Sequence, residues 1–286
     1  ETFNRLNLDR VTQELNRQYN NRGKYSVEIS PSVERLDRNR VNLTINIKEG
    51  KAAKIRHINL VGNDSYSDEE ITKDWESHTS NWLSWYKRDD QYSREKLSGD
   101  IEKLNAWYLN RGHVDFSLDT TQVAISPDKK DMYLTAGITE GEVYSISGVT
   151  VSGDTVLPKA EIEKIVAFIK PGSTFSRGLL EFATDAMTAR LSNIGYAFAQ
   201  VNPAPTIDRD KRTVGIDFQV QPGPRVSVRR IVFKGNTRTA DSVLRREMRQ
   251  FEGSWYSQAA IDRSKVRLSR LGYFEEVNVE NEPVPG

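Results

Sequence analysis

Hydrophobic and polar residues alternate with a period of two in several short runs. Val41, Leu43, Ile45 and Ile47 form one such set, and Val214, Ile216, Phe218 and Val220 another, so each run presents one apolar face of an extended segment. An Asp-rich turn precedes each set (Asp37-Arg38-Asn39-Arg40 and Asp208-Arg209-Asp210-Lys211), which predicts hairpins. Between hairpins the period lengthens. Tyr19, Tyr108, Leu191 and Leu268 each stand four residues before a glycine, and Leu15, Leu104, Met187 and, fitting less well, Ser264 stand eight before it. That i, i+4 stripe predicts a helix burying one face, with glycine as its left-handed cap.

The same punctuation recurs along the chain. Turn glycines end hydrophobic runs at Gly62, Gly153 and Gly235; further glycines follow the alternating runs at Gly50, Gly141 and Gly223; helix-ending glycines are Gly23, Gly112, Gly195 and Gly272. From 50 to 62, 141 to 153 and 223 to 235 the spacing is 12 each time. From 23 to 50, 112 to 141 and 195 to 223 it is 27, 29 and 28, while the segment from turn glycine to helix glycine varies as 50, 42 and 37. Constant flanks around one variable stretch predict a repeated fold with a loop insertion.

Read element by element, the repeat is β-α-α-β-β. A short strand precedes the turn glycine, with Ile55, His57 and Asn59 alternating with Arg56, Ile58 and Leu60 so that the apolar set is expected on one face. A first helix follows, with a capping box at Ser67-Asp68-Glu69-Glu70 and a looser start at Thr239-Ala240-Asp241-Ser242. Then come the striped helix and the hairpin. Two helices covering one face of a three-stranded sheet give an α+β fold. The predicted units are 1–50 (second helix and hairpin), 51–141, 142–222, and 223–286, the last without its final strand. Such an incomplete sheet is expected to be weaker, or to borrow a strand.

The edges differ. His113–Ile125 contains no proline, and its apolar phase moves from 114, 116, 118 to 121, 123, 125, predicting a bulge near Asp119-Thr120. The corresponding strand of the next unit contains Pro203 and Pro205, which delete two donors; the first unit has Ser30-Pro31, and the last is proline-free but acidic at Glu275 and Glu276. The candidate docking edge is therefore Val114, Phe116, Leu118, Thr121 and Val123, where an extended chain could add as one more strand. Edges that are merely tolerated are the competing reading. In the last unit Leu244, Met248 and Phe251 form one helical stripe over Val243–Gln250, and Arg245, Arg249 and Glu252 the neighbouring one. A solvated charged face is the ordinary meaning of such a stripe.

Composition narrows the chemistry. In 286 residues, 41 Lys+Arg against 40 Asp+Glu give a net charge of +1, too little to replace phosphate counterions on nucleic acid. Hydrophobic residues make up 37%, and no run approaches the ~20 apolar residues of a membrane helix. The sequence shows no basic n-region followed by an apolar h-region, so no signal peptide is expected within it, and it reads as an excised piece. The absence of cysteine removes disulfides, cysteine–zinc sites and thiol catalysis. His57, His78 and His113 lie in separate elements without metal-ligand spacing, and neither a nucleophile motif nor a phosphate loop appears, so no enzyme activity and no cofactor are expected. Trp75, Trp82, Trp85 and Tyr86 crowd the variable segment of the second unit, where packing beneath a long loop is favoured over an exposed patch.

This repeat resembles the POTRA (polypeptide-transport-associated) domain. The last unit is most similar: Val243–Gln250 with Glu252-Gly253, then Arg267-Leu268-Ser269-Arg270-Leu271-Gly272-Tyr273-Phe274-Glu275, resemble the membrane-proximal domain of BamA-type outer-membrane assembly factors. Ser126-Pro127-Asp128-Lys129-Lys130 resembles the hairpin turn of the third domain in that family, so the resemblance implies the back of a second domain through most of a fifth. It further implies a periplasmic location beneath a C-terminal β-barrel lying outside this sequence, with accessory outer-membrane lipoproteins and unfolded β-barrel outer-membrane proteins as partners. By that resemblance the charged helix, with Arg245, Arg249 and Glu252, docks a lipoprotein. The alternatives are a related translocation factor of the same superfamily and, from another class, a KH-like nucleic-acid module, which would need a Gly-x-x-Gly loop that the single glycines do not supply.

Overall fold

The computed structural model describes residues 4–38, 40–79, 91–282 and 284. Two compact units divide the chain, residues 1–142 and 143–286. The first unit opens with helix α1 (Arg5–Asn21) and the antiparallel hairpin β1 (Glu28–Leu36) and β2 (Arg40–Lys48); these form module I. Module II follows, with β3 (Lys54–Val61), α2 (Asp68–Thr72), α3 (Arg94–Leu109), β4 (Ser117–Ile125) and β5 (Asp131–Thr139). In the second unit, module III comprises β6 (Ser145–Gly153), α4 (Lys159–Val166), α5 (Arg177–Asn193), β7 (Gln200–Asp208) and β8 (Thr213–Gln221). Module IV contains α6 (Asp241–Glu247) and α7 (Gln258–Arg270).

The sheet orders are β3-β5-β4 and β6-β8-β7. In modules II and III the last strand thus lies in the centre, parallel to the first strand and antiparallel to the second. Paired on both sides and covered by helices, it carries the deepest side chains. Met132, Leu134, Ala136 and Ile138 in β5, and Val214, Ile216, Phe218 and Val220 in β8, are all at most 8% exposed. The helix stripe meets them: Leu104 and Tyr108 of α3 join Leu60, Ala136 and Ile138 in one cluster.

Three expectations need correction. First, β3 does not alternate strictly. A register shift between Ile55 and His57 places Ile55 and Leu60 in the core with Ile58 packed beside them, because the bulge inserts one residue into the period. Second, α6 ends at Glu247, and Met248 adopts extended backbone with φ −66 and ψ 143. Arg249, Phe251 and Glu252 therefore lie past the helix, and Phe251 is 60% exposed instead of extending the Leu244–Met248 stripe. Third, no ladder strand occurs in module IV among the described residues. Segments 228–234 and 274–281 carry no strand assignment.

Ser264, the poor fit in the helix stripe, is fully buried for a specific reason. Its hydroxyl accepts the backbone N–H of Arg249 at 2.8 Å and donates to the carbonyl of Ala260 at 2.7 Å. It therefore serves a donor that the early end of α6 leaves unpaired. Leucine at this position would bury that N–H unsatisfied.

Candidate functional site: a sheet edge and a charged surface

β4 is the edge strand of module II, and its register with β5 shifts between Leu118 and Thr120, with Asp119 as the extra residue. The shift explains the change of apolar phase. Leu118 stands opposite Ile138, and Thr121, Val123 and Ile125 stand opposite Ala136, Leu134 and Met132, so both apolar sets face the helices. Asp119 braces the bulge by accepting hydrogen bonds from the hydroxyls of Thr139 at 2.7 Å and Ser117 at 2.8 Å. These bonds hold its carboxyl below the ordinary aspartate value.

The five predicted edge residues do not act alike. Val114 and Phe116 precede the strand. Phe116 stacks on Tyr108 with ring centroids 4.4 Å apart and an interplanar angle of 10°, and Leu118 packs against the same cluster. Phe116 and Leu118 therefore pack against the core of module II, and Val114 is half-buried ahead of the strand. Thr121 and Val123 lie beyond the bulge, where every residue from Asp119 to Ile125 is exposed. The open edge is thus 120–125. In module III the matching strand β7 has Pro203 opposite Phe218 and Pro205 opposite Ile216, both on an edge that proline tolerates only where no ladder donor is needed.

Behind the β4 edge a buried polar network ties module II together. The Tyr108 hydroxyl donates to Glu140 at 2.8 Å, and Glu140 also accepts from the hydroxyl and backbone N–H of Ser65, at 2.6 and 3.1 Å. Burial, then this carboxylate, push the Tyr108 phenol far above its ordinary value. His113 is 2% exposed, with Nε2 3.2 Å from the Tyr66 hydroxyl and Nδ1 3.1 Å from the Gly141 carbonyl oxygen. Asp100, fully buried, accepts the backbone N–H groups of Glu76 and Ser77 and pairs with Lys103 at 3.3 Å. Sequence reading missed Glu140 and Asp100, since single acids carry no periodic signal. Each buried polar group named here serves to hold a loop. Among the described residues no group of acidic and histidine side chains is arranged to hold a metal ion. Trp75 is buried in the module II core, while Trp82, Trp85 and Tyr86 lie outside the described residues.

In module IV, Arg245 and Glu252 meet at 3.2 Å, both about 40% exposed at the side chain. Glu252 also accepts the N–H of Ile231 at 2.7 Å, and Arg245 donates to the carbonyl of the same residue at 3.1 Å. The two side chains clamp the backbone N–H and C=O of one residue in the first extended segment. The Ile231 bond, then Arg245, hold the Glu252 carboxyl below its ordinary value. Arg249 caps the end of α6 instead, donating to the carbonyls of Met248 at 2.9 Å and Arg246 at 3.3 Å. Its guanidinium forms no part of the Arg245–Glu252 clamp.

Repeated small α+β modules, with helices packed on sheets whose outer strands are free on one side, define a tandem-repeat protein. The chain belongs to the POTRA family: the profile described as "Surface antigen variable number repeat" matches residues 1–50, 53–141, 144–223 and 226–285. Its repeats are of the BamA type. It is 33% identical to the outer membrane protein assembly factor BamA of Neisseria meningitidis serogroup B over 99% of this chain and 36% of that protein. To BamA of Buchnera aphidicola it is 31% identical over 84% of this chain and 39% of that protein. The chain thus spans little more than a third of the length of these relatives. The crystal structure of Haemophilus influenzae BamA POTRA3-5 superimposes with a TM-score of 0.71 at 30% identity, covering 82% of this chain and 91% of that one. No helix among the described residues is long and apolar enough to cross a membrane.

Proposed function

We propose that this chain acts in the periplasm as a scaffold and chaperone-like module of outer-membrane β-barrel assembly, tethered to the outer membrane within a longer protein. Unfolded β-barrel precursors pair along the free edge of β4, and accessory lipoproteins of the assembly complex dock on the surface bearing Arg245, Arg249 and Glu252. The reading takes its process from the relatives' names and its mode from one observation: β4 is an edge strand with a proline-free, exposed stretch at 120–125. Backbone hydrogen bonds supply affinity without demanding one sequence, as a client-tolerant binder requires. On the charged surface, a preformed Arg–Glu pair fixes register and on-rate more than raw affinity.

The test of the edge is proline at Thr121, compared with Thr206→Pro in the already blunted β7. Nuclear magnetic resonance titration with an extended outer-membrane-protein peptide should show at least tenfold weaker binding for Thr121→Pro alone. Equal weakening would remove β4 from the reading. For the charged surface, Glu252→Lys should abolish lipoprotein capture, with Glu252→Gln as the control for the lost Ile231 bond. Capture unchanged in Glu252→Lys would refute that assignment.

A further inference from the structure

The loop that enters the second helix is built the same way in modules III and IV. Gly172 and Gly253 donate their N–H groups to the carbonyls of Ile146 and Val228, both at 2.7 Å. Ile146 and Val228 donate in return to Ser173 and Ser254, and Phe175 and Tyr256 donate to Tyr144 and Val226. That shared register makes Lys170 the counterpart of Phe251, and Thr174 the counterpart of Trp255. Lys170 and Thr174 are exposed and polar, as a solvated loop requires. In module IV the same two positions carry aromatic rings, Phe251 at 60% exposure and Trp255 at 51%. Module III has a complete three-stranded sheet and exposes both positions all the same, so the exposure belongs to the loop and owes nothing to the centre of the module IV sheet.

The inward position of the loop differs too. Ile169 fills it in module III at 4% exposure, and Gln250 fills it in module IV at 3%. A buried amide costs free energy unless it is bonded, and Gln250 is bonded at both ends. Its Nε2 donates to the Ser254 hydroxyl at 2.8 Å and the Trp255 carbonyl at 3.0 Å, and its Oε1 accepts the Ser257 N–H at 2.8 Å. These bonds hold one backbone shape, and Arg225 steadies one face of the Trp255 ring from 4.1 Å. Exposed aromatic rings on a fixed backbone suit a protein interface, because they cover a large area and lose little side-chain freedom on binding.

We infer that Phe251 and Trp255 are the apolar anchors by which an accessory lipoprotein of the assembly complex docks, each ring entering an apolar pocket of that protein. This rests on the docking surface proposed for Arg245, Arg249 and Glu252. Phe251 adjoins Glu252 in the chain, so the anchors are continuous with the Arg245–Glu252 pair. The charges set approach and register, and the rings set how long the complex lasts. A carboxylate between the two rings repels an anionic membrane surface, so a protein is the fitting occupant.

The probes are purified accessory lipoproteins of the complex, each immobilised separately, with the full chain in solution. Phe251→Thr and Trp255→Thr leave the net charge unchanged and introduce the residue that module III carries at 174. Each should speed dissociation by roughly tenfold or more, with association changed less than about twofold. Arg225→Gln removes the stacked guanidinium and keeps both rings, and both rates should stay near those of the parent. Dissociation as fast as in Trp255→Thr would make the tryptophan a strut of the seam and overturn the inference. Unchanged dissociation in both ring variants, with Glu252→Lys still abolishing capture, would overturn the anchors and leave the charged surface standing. Faster dissociation in the ring variants, with capture intact in Glu252→Lys, would keep the anchors and refute the charged surface. Lost flotation with phosphatidylethanolamine–phosphatidylglycerol vesicles in the ring variants, with lipoprotein dissociation unchanged, would overturn the inference in favour of a membrane anchor. A 5-fluorotryptophan resonance at 255 already shielded from solvent in the longer protein without lipoprotein would also overturn it, by making the same polypeptide the cover.

Discussion

The carbonyl oxygen of Gly195 accepts the backbone N–H of Val226 at 2.8 Å, joining the glycine that ends α5 to the start of module IV. Gly23 does the same for Ala53 at 2.9 Å in the first unit. The helix-ending glycine therefore has a second task at these two seams. It stops the helix, and it presents its carbonyl to the next module.

Alanine at Gly195 should loosen the seam. Its φ is +110, and an added Cβ would lie 2.8 Å from Cγ of Arg225, whose Nε donates to the Ile194 carbonyl at 2.7 Å and whose guanidinium covers the Trp255 ring at 4.1 Å. Left-handed backbone costs an L-residue roughly 1–2 kcal/mol, and Arg225 must also move. Calorimetry should show Gly195→Ala destabilised by about that amount. Gly99→Ala, within α3 and with nothing near the new Cβ, should be stabilised by roughly 0.5–1 kcal/mol.

Asn193 bridges the same seam through its side chain, accepting the N–H of Ala259 at 2.9 Å and the hydroxyl of Ser257 at 3.4 Å. Removing this acceptor leaves a donor at the start of α7 without its partner. Asn193→Ala should lose about 1 kcal/mol, read from chemical denaturation. Hydrogen exchange should rise first at 257–260.

Tyr108→Phe removes one donor from buried Glu140 and changes shape little. Hydrogen bonds to charged groups contribute about 1.5–3 kcal/mol, so module II should lose stability in that range. Urea denaturation of the variant tests this, and an unchanged midpoint would show that Ser65 alone satisfies the carboxylate.

Acid should weaken module IV through Glu252. Its folded-state carboxyl lies below the ordinary value of 4.5, so its contribution is present above that value and fades as pH falls through the lower folded one. Glu252→Gln should lose this component, giving a flatter stability profile than the parent chain between pH 6 and pH 3. Parallel profiles in denaturant titrations would place the acid sensitivity elsewhere.

The repeat, the element order and the core-facing positions were readable because they are periodic. Alternation at 214, 216, 218 and 220, and the stripe at Leu104–Tyr108 and Met187–Leu191, follow from backbone geometry that every module shares. Even the bulge at Asp119 was legible, since one extra residue must flip the apolar phase. Helix length was harder. Leu244, Met248 and Phe251 have helical spacing, but the bond from the Arg249 N–H to Ser264 favours ending α6 a turn sooner, and its partner is 15 residues away.

By itself the amino-acid sequence determined a row of like modules, their strand and helix order, and which edge proline blunts, because each depends on neighbours within a few residues. Only the tertiary structure decided that the last strand of modules II and III is the central one, and that Phe116 packs on the core while Thr121 is edge. It also decided that Arg245 and Glu252 clamp Ile231, and that Gly195 carries the next module. Those outcomes rest on contacts between residues tens of positions apart, where packing and hydrogen-bond geometry choose among arrangements that local pattern leaves equal.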